Sequence, residues 1–388
     1  MRLDGLRVLD LSRLLPGPYA TQLLADSGAE VIKIEDTNAG DYARMMPPYT
    51  DDGVGVIFDA INRGKQSVAL DLKADAGREA FLRLAETADV VFEQFRPDVV
   101  ERLGVDYESV RERNEDVVYC SLSGFGQTGP YADRVGHDLN YVGMAGLLDL
   151  TRADDDHAPQ LLGYQIGDMA GGLFSAFSIV GALLARELGN TGGEYVDVSM
   201  TDVVTSFSQS VAAEAFAGDD PRPGETPLTG GAPWYDIYPT ADGEYVTLAA
   251  LEPKFWATFC EAVDREDLID AHMTQDLAER EALREEIAAI FATRTRDEWE
   301  AVLGETEAMV APIQRLSEIL DSEYAEARGL VERGGATPRV GFPALSSEMP
   351  AETGGPIPGH GEHTDAVLEA VGYERTDLEE LRERNVIS

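Results

Sequence analysis

Lysine is nearly absent from this chain: only Lys33, Lys65, Lys73 and Lys254 occur among 388 residues. With 31 Lys and Arg against 72 Asp and Glu, the formal net charge at pH 7 is −41. The acidic residues are spread along the chain between apolar positions, so they do not form an acidic tail. Clusters of cations that neutralise phosphate groups are missing, which argues against nucleic acid and anionic lipid as main partners. Because molar salt shortens the Debye length to about 3 Å and screens such self-repulsion, we interpret the composition as that of a halophilic, cytoplasmic protein.

Cysteine and long apolar runs are also scarce. Cys120 lies in a strand-like run and Cys260 in an amphipathic helical one, so both are predicted to be buried small hydrophobic residues. The N-terminal segment Met1–Leu11 carries internal charges instead of a basic segment followed by an apolar run, which is unlike a signal peptide. Since no stretch of eighteen apolar residues occurs, we expect a soluble protein without a membrane partner.

Motifs for metals, nucleotides and nucleophilic serines are weak or missing. His360 and His363 flank Glu362 in a glycine-rich segment without a third ligand at metal-site spacing, so no metal site is predicted. The loop Gly124–Gly129 formally matches the dinucleotide fingerprint, but Pro130 follows it directly, where a phosphate-binding helix should begin. We interpret this loop as a tight turn that lines a pocket.

The length of 388 residues and the hydrophobic content of 44% predict one large and one smaller domain. From Leu6–Leu11 to Val117–Leu122, strand-like runs alternate with helical segments, which indicates a Rossmann-like α/β domain with a mainly parallel sheet. Ligands are then expected at the carboxyl ends of the strands. A hairpin-like pair around Asp242-Gly243 begins a smaller α+β domain. The predicted boundaries are a large domain at 1–217, a linker at 218–233, the small domain at 234–330 and a C-terminal return to the large domain at 331–388.

Two apolar helical segments complete the predicted large domain. Met169–Arg186 is rich in Ala, Gly and Ser and apolar almost all round, which predicts a buried helix. Met200–Ala217 predicts a second helix.

One histidine and one aspartate form a candidate acid/base pair. His137 follows Gly136, which allows close approach of a ligand, and precedes a predicted helix whose first amides could stabilise an oxyanion. Asp168 opens the apolar segment Met169–Arg186, where partial desolvation raises a carboxyl pKa toward the range of proton exchange. Each residue has a structural alternative, His137 as a satisfied, partly buried side chain and Asp168 as a helix cap. Spacing alone leaves these alternatives open.

Four further motifs are distributed over the first hundred residues: Leu3–Leu11, Ala25–Glu35, Asn62–Lys65 and Phe95–Pro97. They resemble motifs of CoA-transferase family III, and the likeness covers essentially the whole chain. The motifs most similar to its α-methylacyl-CoA racemase branch are Gly136–Tyr141, Gly167-Asp168 and Ala250–Phe255.

The resemblance implies an interlocked homodimer, each subunit having a large Rossmann-like domain built from both chain ends and a small domain. It also implies an acyl-CoA thioester as substrate, so that CoA arrives with the substrate and no separate cofactor is needed. Carried over by position, the CoA- or substrate-binding residues are Arg44, Lys65, Arg96, Asp138 and Tyr141, and the catalytic residues are His137, Asp168 and Glu252. For Lys65, a solvated loop charge is the structural alternative. Glu252 is expected to come from the partner subunit and to orient His137 or complete the pocket wall.

Two reactions fit the resemblance. In a racemase that interconverts (R)- and (S)-2-methylacyl-CoA, His137 and Asp168 face opposite sides of the carbon beside the thioester carbonyl, one removing a proton and the other returning one. In a CoA-transferase, Asp168 is instead a nucleophile that forms an aspartyl-CoA thioester. His137 favours the racemase, because the transferase branch usually lacks a histidine there, whereas Ser12–Thr21 is more similar to the transferases.

Overall fold

The computed structural model describes residues 2–152, 156–219, 221–222, 224, 226–348 and 355–388. It divides into two compact units. The large unit comprises Met1–Leu147, Leu162–Phe207 and Glu323–Ser388, and the small unit comprises Leu148–Leu161 and Ser208–Ser322. Both chain ends thus belong to the large unit. The segment Leu148–Leu161 and residues 208–217, which the sequence analysis places in the large domain, belong to the small unit, as does the described part of the predicted linker.

A parallel six-stranded sheet forms the centre of the large unit, in the order β3-β2-β1-β4-β5-β6. Every neighbouring pair is parallel, which confirms the predicted mainly parallel sheet. The strand order reverses between β1 and β4, and ligands of such sheets bind outside the carboxyl ends of the strands at this switch point. The strands are β1 (Arg7–Asp10), β2 (Glu30–Glu35), β3 (Gln66–Ala69), β4 (Val90–Glu93), β5 (Val118–Ser123) and β6 (Glu194–Ser199).

Helices cover both faces of this sheet. They are α1 (Pro16–Asp26), α2 (Val56–Ile61), α3 (Asp75–Ala85), α4 (Val99–Leu103), α5 (Tyr107–Arg111), α6 (Asp138–Met144), α7 (Ile166–Glu187) and α8 (Met200–Ser206), followed near the C-terminus by α14 (Glu323–Arg328), α15 (Thr364–Ala370) and α16 (Arg375–Glu383). A short 3₁₀ helix, Tyr42–Met45, follows β2, and a two-stranded antiparallel ribbon consists of β10 (Val331–Glu332) and β11 (Arg339–Val340).

The core of the large unit has two halves because successive strand residues point to opposite faces. Val8 belongs to the half that includes α1 and α7, and Leu9 to the half that includes α3, α15 and α16. Leu368 and Leu381 of the C-terminal helices are buried in that second half. The chain end therefore contributes to the core of the large unit.

The small unit is built on an antiparallel sheet of β7 (Tyr235–Pro239), β8 (Tyr245–Ala249) and β9 (Val310–Pro312). The predicted hairpin is confirmed, since β7 and β8 pair on either side of Asp242-Gly243 and Gly243 has a φ of 79°. Around the sheet lie α9 (Gln209–Ala217), α10 (Pro253–Ala262), α11 (Leu277–Phe291), α12 (Arg296–Leu303), α13 (Leu316–Leu320) and the 3₁₀ helices Asp149–Thr151 and Glu266–Ala271.

The single helix predicted over Met200–Ala217 is wrong, because α8 and α9 are separate. The Thr205 hydroxyl donates to the Thr201 carbonyl and the Ser206 hydroxyl to the Val203 carbonyl, so polar side chains compete for main-chain groups in the last turn of α8. The boundary between the two units falls directly after this turn.

Helix α7 corrects the expectation that no segment is long and apolar enough to span a membrane. Its 22 residues meet that test by length and composition, with 44% of the most apolar window buried. In the large unit α7 packs against α1 and β5 with a row of small residues, of which Gly171 and Gly172 leave no room for a Cβ atom. Core helices of globular proteins share this composition.

Candidate active site

A cavity of about 860 Å³ lies at the switch point of the large sheet. Its walls come from the residues that follow the carboxyl ends of β1, β2, β3 and β4, together with α4. We call it the switch-point cavity, and its polar and aromatic lining includes Arg13, Asp36, Tyr42, Lys73, Gln94, Phe95, Arg96 and Arg102.

The switch-point cavity presents cations in a chain that is otherwise acidic. Two of its four carboxylates are paired, Glu35 with Arg44 at 2.6 Å and Asp41 with Lys33 at 2.9 Å. The Arg44 guanidinium and the Lys33 ammonium help to hold the pKa of Glu35 at about 2, against the opposing effect of burial. The rest of the lining has more cations than carboxylates, which favours an anionic ligand: Arg13, Lys73, Arg96 and Arg102 against Asp36 and Asp71.

Arg96 is the best placed of the predicted cations. It is exposed, and it forms no ion pair or side-chain hydrogen bond within the described ranges. It also lines a smaller cavity of about 120 Å³, the Gly136 cavity, whose walls include Gly124, Gly136 and Tyr141. One side chain thus borders both the switch-point cavity and the segment that precedes His137.

Lys65 does not face either cavity, and this corrects its assignment to the CoA group. It is only 3% exposed, and its ammonium contacts the oxygens of Asn62 at 3.0 Å, Thr21 at 2.8 Å, Pro18 at 2.9 Å and Asp10 at 3.4 Å. Burial lowers the pKa of Lys65 to about 7. Its role is to satisfy oxygens at the start of α1, inside the large unit.

The structure also does not support the assignment of Arg44 to CoA binding, for a similar reason. Its guanidinium donates to both carboxylate oxygens of Glu35 and to the Pro358 carbonyl at 2.9 Å. It lies 3.9 Å from the centroid of the Phe58 ring, and the Arg44 side chain is only 11% exposed. Such a bidentate, stacked arginine is committed to its neighbours. Arg44 acts on the cavity through Glu35, which lines it.

We predict that Lys65→Met lowers the free energy of unfolding by about 3–5 kcal/mol, because it breaks a buried ion pair with Asp10 and leaves three further oxygens without this donor. The matched control is Lys73→Met, which removes the same charge from a cavity wall. Chemical denaturation of both variants measures the difference. Equal stability of Lys65→Met and the parent protein would contradict an internal role.

Four of the predicted site residues lie together where the N-termini of α6 and α7 meet. His137 immediately precedes α6 and its side chain is exposed. Asp138 lies in the first turn of α6, and its Oδ1 accepts the main-chain N–H of Asp168 at 3.0 Å. Gly167 is required beside this contact, because a Cβ atom there would lie 2.9 Å from that oxygen. The Tyr141 hydroxyl donates to the Gly136 carbonyl at 2.5 Å and fixes the loop before His137.

The Asp168 carboxyl has an unusually high pKa. It is half-buried in the first turn of α7, where burial and, to a lesser degree, the nearby Asp138 carboxylate raise its pKa to about 7. A carboxyl with this pKa is present in both protonation states near neutral pH. Asp168 is not the helix cap, since Gln165 holds that position.

Main-chain donors complete this region. The N–H groups of Asp138 and Leu139, at the start of α6, have no acceptor within the part of the chain that the structure describes. Unpaired N–H groups of this kind are suited to a developing oxyanion.

Glu252 lies in the small unit, exposed, at the residue before α10. Its adjoining segment is fixed within that unit by two hydrogen bonds of Ala250, whose N–H donates to the Trp234 carbonyl at 2.8 Å and whose carbonyl lies 3.1 Å from His272 Nε2.

Sequence reasoning missed Arg13, Lys73 and Arg102 as cations of the switch-point cavity. Their positions after β1, after β3 and on α4 could have indicated them, since carboxyl ends of parallel strands meet at one edge. Of the loop Gly124–Gly129, only Gly124 lines the Gly136 cavity, and a Cβ atom there would collide with the Tyr141 ring. Among the described residues no cluster of three or more His, Cys, Asp or Glu side chains could hold a metal ion.

Comparison with known proteins extends over the whole chain. A family model described as CoA-transferase family III matches residues 3–364. The chain is 37% identical over 393 residues to a succinyl-CoA:mesaconate CoA-transferase of Haloarcula hispanica, covering 95% of this chain and 96% of that protein. It is 31% identical over 399 residues to alpha-methylacyl-CoA racemase of Homo sapiens, covering 100% of this chain and 98% of that protein. A crystal structure of a CAIB/BAIF family protein from Brucella suis matches with a TM-score of 0.83 at 30% identity, covering 95% of this chain and 99% of that one.

Proposed function

This chain belongs to CoA-transferase family III, and from that membership we propose that it is an acyl-CoA racemase, which interconverts (R)- and (S)-2-methylacyl-CoA. The observation that carries the proposal is the meeting of α6 and α7. There the Asp138 carboxylate binds the Asp168 amide, so that an imidazole and a carboxyl with a pKa of about 7 lie at adjoining helix starts. Two proton-transfer groups are what a 1,1-proton transfer needs.

In the proposed reaction one group removes the proton from the carbon beside the thioester carbonyl, and the electron pair of that C–H bond moves into an enolate. For one enantiomer the Asp168 carboxylate is the base and the His137 imidazolium then donates a proton to the opposite face. For the other enantiomer the neutral imidazole is the base and the protonated carboxyl is the donor. The N–H groups of Asp138 and Leu139, which lack an acceptor among the described residues, are the proposed hydrogen-bond donors to the enolate oxygen.

The switch-point cavity is the proposed site of the nucleotide part of CoA. Its arginines and Lys73 match the phosphates. The Arg13 guanidinium lies over the rings of Tyr42 and Phe95, at 4.9 Å and 5.9 Å from their centroids, so these two rings hold that cation in the cavity. Arg96 also lines the Gly136 cavity, so we propose that the pantetheine arm passes this side chain on its way to His137.

Arg96→Ala is expected to raise KM for the acyl-CoA by about 10- to 100-fold, the loss that follows when a hydrogen bond of about 1.5–3 kcal/mol to a charged group is removed. The value of kcat should change little, because this contact binds ground state and transition state equally. Steady-state kinetics measures the split. Arg111→Ala, on the outer helix α5, is the control, and a fall in kcat without a rise in KM would contradict the assignment.

We also propose that the active molecule is a homodimer in which Glu252 of one subunit completes the site of the other. The support is an exposed apolar stripe along α7, formed by Leu173, Phe177, Leu184 and Leu188, between 48% and 70% exposed. Contiguous apolar surface of this kind marks a protein interface.

CoA transfer remains the alternative, and the observation that favours it is the 37% identity to a CoA-transferase. In that reaction the Asp168 carboxylate attacks the thioester carbon and CoA leaves as thiolate, giving a mixed anhydride. Free CoA then attacks the aspartyl carbonyl, releases the carboxylic acid and forms the aspartyl-CoA thioester.

A single assay at high salt, with one enantiomer of a purified 2-methylacyl-CoA as substrate, distinguishes racemisation from CoA transfer. Racemisation predicts loss of enantiomeric purity at a rate that is independent of added succinate or another carboxylic acid. Transfer predicts retained purity and a new CoA ester only after the acid is added. Chromatography on a chiral phase and mass spectrometry of the CoA esters read both outcomes.

A further inference from the structure

We propose that Glu93 is a positioning residue of the switch-point cavity, which holds the Phe95-Arg96 turn and sets the affinity for the phosphates of CoA through its own charge. The proposal rests on the proposed placement of CoA in this cavity.

Glu93 is the last residue of β4, at the edge where the switch-point cavity opens, and it is 1% exposed. Its Oε2 accepts the main-chain N–H of Phe95 at 2.6 Å. Phe95 and Arg96 both line the switch-point cavity and the Gly136 cavity. The carboxyl therefore fixes the turn from which both cavities receive a side chain.

Within the described part of the chain no cation pairs with Glu93, and the charges that act on it are negative. On β5 its carboxyl bonds to Ser121, which also accepts the Tyr195 hydroxyl of β6 at 3.1 Å. Glu101 of α4 and Asp197 of β6 act on it as further negative charges. The remaining titratable neighbours are Tyr119 and Cys120 on β5.

On the adjacent strand β1, Asp10 is neutralised by Lys33 and Lys65, whereas Glu93 has no ion pair among the described residues. Burial, reinforced by the surrounding carboxylates, raises the pKa of Glu93 to about 7. A buried carboxyl without a cation is costly when ionised. A buried group of this kind at the edge of a cavity is a candidate for a functional role.

The charge of Glu93 opposes an anionic ligand in the adjoining cavity, because two negative charges repel across a poorly polarisable interior. CoA should therefore bind more tightly when Glu93 is protonated. By linkage, bound CoA raises the pKa of Glu93, and the Phe95 hydrogen bond persists in both states because the carboxyl oxygen remains an acceptor.

The test measures the dissociation constant of free CoA by calorimetry from pH 5.5 to 8.5 at constant high salt. Free CoA has no acyl group, so it makes no acyl contact with Asp168. We expect binding to weaken by about 3- to 10-fold across a transition near neutral pH. Glu93→Gln, which keeps the acceptor for Phe95 and stays neutral, should bind with the tighter affinity at every pH. Glu112→Gln, an exposed position, is the control and should retain the transition.

A second variant covers the case in which Glu93→Gln does not fold. Ser121→Ala removes a hydrogen bond that lowers the pKa of Glu93, so the transition should move to higher pH. A parent protein that binds CoA with no transition, or a transition that Glu93→Gln retains, overturns the role of Glu93 alone. A parent protein that binds no CoA at all overturns this inference together with the proposed function.

Discussion

Asp168→Asn is expected to lower racemisation by about 10²- to 10⁴-fold, the usual contribution of a positioned general acid or base, while CoA thioester binding persists. The amide has the shape of the carboxyl but exchanges no proton, and the hydrogen bond to Asp138 is retained because it uses the main-chain N–H of Asp168. Chiral analysis of product formation measures the loss. Asp202→Asn, a change at the corresponding position of the first turn of α8, is the matched control.

The same variant should be more stable than the parent protein above neutral pH. Because the folded-state pKa of Asp168 is raised from 3.8 to about 7, the folded state binds more protons than the unfolded state between these values, and stability falls as pH rises through them. Asparagine removes this fall. A melting temperature of Asp168→Asn below that of the parent protein at pH 8 would show a structural role instead of a catalytic one.

His137→Gln is expected to lower racemisation by a similar factor, about 10²- to 10⁴-fold, but to leave proton exchange at one face of the substrate. With Asp168 intact, the enantiomer whose hydrogen faces the carboxyl should still exchange that hydrogen with solvent and retain its configuration. The opposite enantiomer should not exchange, since its base is gone. Deuterium incorporation into each pure enantiomer, followed by mass spectrometry, measures this asymmetry, and His157→Gln, an exposed histidine of the small unit, is the control.

Equal exchange of both enantiomers by His137→Gln would contradict the two-base scheme, because a single carboxyl would then serve both faces. Loss of exchange from both enantiomers would place His137 in binding or folding. Only the one-sided result supports opposite faces for the two groups.

The alternation of strands and helices was predictable because each buried strand is a short apolar run between polar segments. The strands β1 (Arg7–Asp10) and β5 (Val118–Ser123) lie within one residue of the predicted runs Leu6–Leu11 and Val117–Leu122 at each end. The location of His137 and Asp168 at helix starts was also predictable, since glycines precede both. Their meeting through the Asp138 carboxylate was not, because that contact depends on packing between α6 and α7.

The predicted CoA-binding role was wrong for the two cations that the fold buries, Lys65 and Arg44. Lys65 stands in a polar motif, and its oxygen partners Asp10, Pro18 and Thr21 come from far earlier in the chain. Arg44 is likewise committed to Glu35, nine positions away. A single sequence does not reveal which cations turn inward, whereas the arginines of the cavity follow from the strand order.

The most direct test of the account is α-proton exchange by the parent protein in deuterated water at high salt. One enantiomer of 2-methylacyl-CoA is supplied without any carboxylic acid acceptor. The account predicts that deuterium enters at the carbon beside the thioester and that the product becomes racemic. Unchanged isotopic content and configuration, with CoA transfer appearing once an acid is added, would contradict it and make Asp168 a nucleophile.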